Sequence, residues 1–210
     1  MATLSSYLVV VGALLLLFAF MGSDMHTTLL ALGRRATSVA ATAAATVSAT
    51  PRLVTEGADE AAMAGLTSVE PVRGSATVGA IAHGLTWAAF LALAGSLAAR
   101  AVVVERGPWG NMYEFSIAFA VGILGGYLLL QRRYPIRTIA FLPLGVALFL
   151  IVYAATLPAS IEPLVSALDN PPLMTIHVAM DMIAYGVLAV SFAAAVGYLV
   201  QGETDRFDWL

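Results

Sequence analysis

The chain has 210 residues, 60% of them hydrophobic and only 11% charged, with a net charge of −3. A soluble domain carries about 25% charged residues, so this is membrane composition, and no basic stripe points to nucleic acid. The absence of cysteine excludes disulfides, Fe–S clusters, thiolate zinc sites and cysteine nucleophiles.

Five apolar segments follow one another: Leu4–Met21, Val78–Val104, Phe115–Leu130, Thr138–Leu157 and Leu173–Val200. A span needs about 20 predominantly apolar residues, so the third is short and is expected to borrow Met112, Tyr113 and Glu114 as an interfacial first turn. The first segment lacks a basic leader region and a clear small-residue cleavage site, and reads as a retained span. The expected fold class is all-α, a polytopic transmembrane helix bundle of about five spans. Residues 1–21 form the first span, 22–77 a cytoplasmic low-complexity loop, 78–200 a four-span bundle and 201–210 a cytoplasmic tail. Within the loop, Ala36–Thr50 is an Ala/Thr/Ser/Val run, followed by Pro51, an acidic patch (Glu56, Asp59, Glu60) and Pro71; it reads as flexible, with room for one short helix. The tail, ending Asp208-Trp209-Leu210, reads as the opening of a further loop, as in the N-terminal half of a longer protein.

Arginine, the sole basic residue type here, sets the expected orientation. Arg34, Arg35, Arg52, Arg73, Arg132, Arg133, Arg137 and Arg206 fall on one side, Arg100 and Arg106 on the other. Eight against two places the N-terminus outside, the C-terminus inside, and Glu105–Tyr113 and Pro158–Pro172 outside.

Two short stretches carry chemistry. In Pro108-Trp109-Gly110-Asn111-Met112-Tyr113-Glu114-Phe115, Asn111 and Glu114 have capping-box spacing, and Trp109 and Tyr113 suit an aromatic belt. Alternatively, Trp109 and Tyr113 offer flat faces to a planar ligand in the outer leaflet. In Leu173–Val200, a helix of 28 residues would be about 42 Å long at about 1.5 Å per residue, against a hydrocarbon core of about 30 Å. The Pro171-Pro172 end is expected to protrude, which sets His177 near the outer boundary with Asp181 one turn on and on the same face. A histidine and an aspartate at the mouth of a span are costly unless partnered. Asp181 can orient the imidazole as a carboxylate orients a metal-ligating histidine. On the other reading, His177 is an interfacial residue and Asp181 pairs with Arg100 or Arg106. Met174, Met180 and Met182 read as gap fillers or as thioether ligands to copper. His83 reads as a packed or snorkelling residue near Trp87, and His26 carries no signal. Gly122, Gly125 and Gly126 read as close helix packing.

Gly107-Pro108-Trp109-Gly110-Asn111-Met112-Tyr113-Glu114-Phe115-Ser116 and Leu173-Met174-Thr175-Ile176-His177-Val178-Ala179-Met180-Asp181-Met182-Ile183-Ala184-Tyr185-Gly186 resemble two segments of the CcsA/ResC-type cytochrome c biogenesis proteins: N-[LM]-Y-E ahead of a span, and H-V-x-M-x-x-x-x-Y-[GA]. The likeness covers Val78–Val200. It implies a multi-pass protein of the bacterial plasma membrane, working with a CcsB/ResB-type partner to present heme b at the outer face for attachment to apocytochrome c. His177 matches the first of two histidines that flank a tryptophan-rich outer segment in that family. The segment itself and the second histidine lie beyond the matched region and have no counterpart in this chain. The resemblance makes His177 a ligand to heme iron; beside it, the residues' own chemistry makes Asp181, Trp109, Tyr113 and Glu114 further candidates to line the heme, with Arg100 or Arg106 suited to its propionates. No catalytic side chain is implied, since thioether formation of this kind is catalysis by positioning. The competing expectations are a heme-free polytopic scaffold or transporter subunit and a Met/His copper-handling membrane protein.

Overall fold

The computed structural model describes residues 2–48, 74–134, 136–161 and 171–201. Among them the regular structure is entirely helical: α1 (Ala2–Ser48), α2 (Ser75–Val104), α3 (Met112–Leu130), a 3-10 turn (Ile136–Ile139), α4 (Phe141–Ala155) and α5 (Pro171–Gln201). Five segments are long and apolar enough to cross a membrane: Thr3–Gly33, Ser75–Val104, Met112–Leu130, Ile136–Ala155 and Pro172–Val200. The protein is thus a membrane-embedded type of helical chain, as its composition requires.

The largest departure from the sequence reading is in α1. The helix does not stop at Met21; it continues unbroken to Ser48, so the expected loop over 22–77 is helical for more than a third of its length. The reason is local. Residues 36–48 contain no glycine or proline, and alanine has the highest intrinsic helix propensity. The acidic patch and Pro71 lie outside the described residues, as does the tail beyond Gln201.

Small residues let the helices approach. Helices α1 and α2 run antiparallel: Ser5 meets Ser96, Gly12 lies under Leu93, Gly22 faces Ala82, and His26 lies on Gly79. Ser5 Oγ donates to Ser96 O at 3.1 Å and Ser96 Oγ to Ser5 O at 3.0 Å, a reciprocal clasp between the two helices. Helices α3 and α5 run side by side in the same direction. A Cβ added at Gly122 would lie 2.5 Å from Met182 O, and one at Gly126 2.9 Å from Gly186 O. This is backbone-to-backbone packing through a G-x-x-x-G pair, as expected for Gly122 and Gly126; Gly125 instead packs on the Phe90 ring. Phe119 closes edge-on against Tyr185, ring centroids 5.3 Å apart. The main core gathers Leu16, Leu93, Ile117, Leu124, Leu144 and Ile151 from four helices, with α3 at its centre.

Helix ends fall into two groups. One end of the bundle carries Ser5, Arg100, residues 106–114, Ala159, Ser160 and Thr175. The opposite end carries His26, Ser75, His83, Gln131 and Arg137.

Candidate functional site at the Trp109 end

The segment between α2 and α3 is built around Glu114. Helix α2 ends where Glu105 turns left-handed at φ 53°, and the chain reverses through Gly107 and Pro108. Asn111, in extended backbone, caps α3: its Oδ1 accepts from Glu114 N at 2.9 Å. The other half of the expected capping box is displaced by one residue, since Glu114 Oε2 accepts from Gly110 N at 2.6 Å rather than from Asn111. Glu114 is 0% exposed, so it is a core carboxylate and not the interfacial residue expected of a first turn.

Its charge is balanced by the two arginines. Arg100 Nε donates to Glu114 Oε1 at 2.6 Å, and Arg106 Nη1 lies 3.5 Å from Oε2. Arg100 is also buried, sends Nη2 to Ala159 O at 2.8 Å, and lays its guanidinium over the Tyr113 ring at 5.0 Å. Tyr113 is therefore buried with one face taken by a cation, rather than presented as an open aromatic surface. Asn111 Nδ2 donates to Ser160 O at 2.9 Å, so the segment following α4 is tied to both α2 and the start of α3. A fork-shaped guanidinium suits this role because it can serve a carboxylate and a carbonyl at once.

Beside this network lies an open groove of ≈ 560 Å³, with walls from Leu97, Ala101 and Val102 and a rim of Arg106, Trp109 and Thr175. Pockets of about 300–1,000 Å³ with few polar groups are the usual size for small organic ligands. Trp109 is steadied there by packing on the Ala118, Val178 and Met182 cluster and by its Nε1, which points at Thr175 Oγ1 at 3.5 Å.

His177 and Asp181 are not part of this constellation. On α5, Val178 and Met182 face inward on Ala118, with Met174 packed beside them. His177 is 77% exposed, its Nε2 3.6 Å from Asp181 Oδ2. That distance is a close polar contact, longer than a hydrogen bond. Asp181 thus turns to its helical neighbour, while Arg100 and Arg106 turn to Glu114. Thr175 and His177, two residues apart, lie about 200° apart around the helix, so Trp109 and the imidazole occupy different faces of α5. Of the seven residues singled out from sequence, Arg100, Arg106, Trp109, Tyr113 and Glu114 form one assembly and His177 and Asp181 another. The exposed imidazole, with a carboxylate beside it, suits a ligand approaching from outside the bundle; the groove is apolar, and Arg106 on its rim is engaged with Glu114 and Gly107 O. Among the described residues, no three His, Cys, Asp or Glu side chains converge to hold a metal ion. Met182 is buried and Met180 points outward, so the methionines do not form a thioether cluster.

Two histidines given little weight from sequence have defined positions. His26 Nδ1 donates to Ser75 O at 2.7 Å, and His83 lines a cavity at the Arg137 end with its Nδ1 buried. No spacing rule links residues 49 positions apart, so only the packing of α1 on α2 shows the first contact. No family model, curated protein or solved structure matches the chain.

Proposed function

We propose that the chain is a heme-handling subunit of a cytochrome c synthase of the plasma membrane. In this reading its Trp109 end lies at the outer face and His177 would be the residue that holds the heme iron. The observation that carries the reading is the His177–Asp181 pair, an exposed imidazole kept beside a carboxylate at the start of a membrane-long helix. The helix surface around it presents Leu173, Ile176, Met180 and Ile183 outward, an apolar surface that would shield a macrocycle from water. Bound heme would supply vinyl groups for thioether formation. The chain's own residues would hold the iron side, keep the apolar edge out of water and orient the imidazole. Apocytochrome c and a CcsB/ResB-type partner would complete the site from outside the bundle. The arginine distribution supports this orientation, with Arg132, Arg133 and Arg137 at the inner end. The groove beside Trp109, on another face of α5, would hold a second apolar molecule or a partner segment.

A heme-free scaffold is the second reading, and a specific observation favours it. Glu114, Arg100 and Tyr113 are spent on one another, as a stabilising network would have them.

In a strain whose own copy has been removed, His177→Gly should insert normally yet abolish covalent cytochrome c, and external imidazole should restore part of it by filling the vacant position. Asp181→Asn should be milder, since losing a carboxylate behind a ligating histidine costs about 10–100-fold. Normal maturation by the His177→Gly protein without imidazole would remove His177 as a ligand and leave the scaffold.

A further inference from the structure

At the Arg137 end, α1, α2, α3 and the turn before α4 surround a small cavity of ≈ 20 Å³. Its walls are unusually polar for the inside of a membrane bundle: Ser23, His26, His83, Tyr127, Gln131 and Arg137 line it. Three buried polar atoms there, His83 Nδ1, Gln131 Nε2 and Gln131 Oε1, make no hydrogen bond of full geometry, although the Gln131 side chain lies close enough to act on the His83 imidazole. Buried polar atoms are almost always paired, and leaving one bare inside a membrane is more costly still.

We infer that the cavity binds one ordered water molecule, which bridges the His83 imidazole and the Gln131 amide. Size and chemistry both select this occupant. A water needs about 10–15 Å³ and typically makes about three hydrogen bonds; the cavity gives slightly more room than that and offers three such atoms. The set mixes a donor, Gln131 Nε2, with an acceptor, Gln131 Oε1. A cation would leave the donor unpaired and an anion the acceptor, whereas water meets both kinds of group. Helix packing explains why the space stays open. Gly79, lying under the His26 ring, and Ala82 are too small to fill it, and Gln131 caps the C-terminal end of α3, its N–H still bonded to Tyr127 O at 2.9 Å. Arg137, exposed on the same wall, marks the way out to bulk solvent. The water therefore gives an imidazole inside the bundle a hydrogen-bonded connection to one aqueous face. This site is independent of the reading proposed for the opposite end.

Two measurements on the purified full chain test the inference. The first is the sign of the thermal shift in the Gln131→Leu variant. If water bridges the amide and the imidazole, Leu strands His83 Nδ1 and the midpoint falls by about 2–4 °C. If the cavity is dry, Leu removes two bare polar atoms and the midpoint rises. The second uses the natural absence of cysteine. Silver ion, close to water in size, should react with the Thr86→Cys and Ser23→Cys thiols on the cavity wall. It should spare an Ala120→Cys thiol, equally buried but away from the cavity. A raised midpoint, or silver sparing both wall positions, overturns the site.

Discussion

Glu114 shows how one residue can be half legible. Its spacing from Asn111 announces a helix start, and the cap forms as that spacing requires. Its pairing with Arg100 is invisible in sequence, because the two meet only after α2 reverses into α3. The same limit hid the Arg100 guanidinium lying on Tyr113, which turns a candidate ligand-facing ring into part of the support. The position of His177 one turn before Asp181 on the last helix was legible, but its face was not. Only the packing of Val178 and Met182 on α3 fixes the imidazole outward. The Glu114 arrangement predicts an asymmetry between variants. Glu114→Ala leaves Arg100 buried without its counter-charge and should cost about 3–5 kcal/mol, read as a fall in thermal midpoint in detergent. Replacing both partners, Arg100→Met with Glu114→Leu, should recover most of that loss, because a buried ion pair is worth little against well-packed apolar groups. A double variant as unstable as Glu114→Ala would mean that the tie from Arg100 to Ala159 O, not the ion pair, holds this end together.

At the scale of helices, apolar length located α2 to α5 to within a few residues, since about 30 Å of hydrocarbon leaves little freedom in where a span begins and ends. It does not give the length of α1, whose 36–48 stretch is low complexity yet continues a helix already formed, where adding residues costs no new nucleation. Glycine roles were legible for Gly122 and Gly126, whose spacing of four puts both on one face, but not for Gly12, Gly22 and Gly79, which lack that pattern. The difference between a packed and an open glycine gives a direct test. Gly126→Ala would press a Cβ into the Gly186 carbonyl and should cost about 1–3 kcal/mol by forcing α3 from α5. Gly84→Ala, with nothing within 4 Å of the added carbon, should instead gain about 0.5–1 kcal/mol from helix propensity. Equal midpoints for the two variants would show that the α3–α5 contact yields without penalty.

For the whole molecule, orientation is the quantity on which the proposed function depends. Single cysteines again give a clean readout. Ile161 and Tyr134 are both exposed and sit at opposite ends of the bundle. With the arginine-rich end inside, an impermeant maleimide should label Ile161→Cys in intact cells and Tyr134→Cys only after lysis. The reverse pattern would turn His177 toward the cytoplasm, away from any exported apocytochrome. The way the chain after α4 is moored has a consequence of its own. Arg100 and Asn111 both grip it by main-chain oxygens, those of Ala159 and Ser160. A tether to backbone asks nothing of the side chains it holds. The composition of that strip can change without loosening it, while its anchorage depends on two residues elsewhere in the chain.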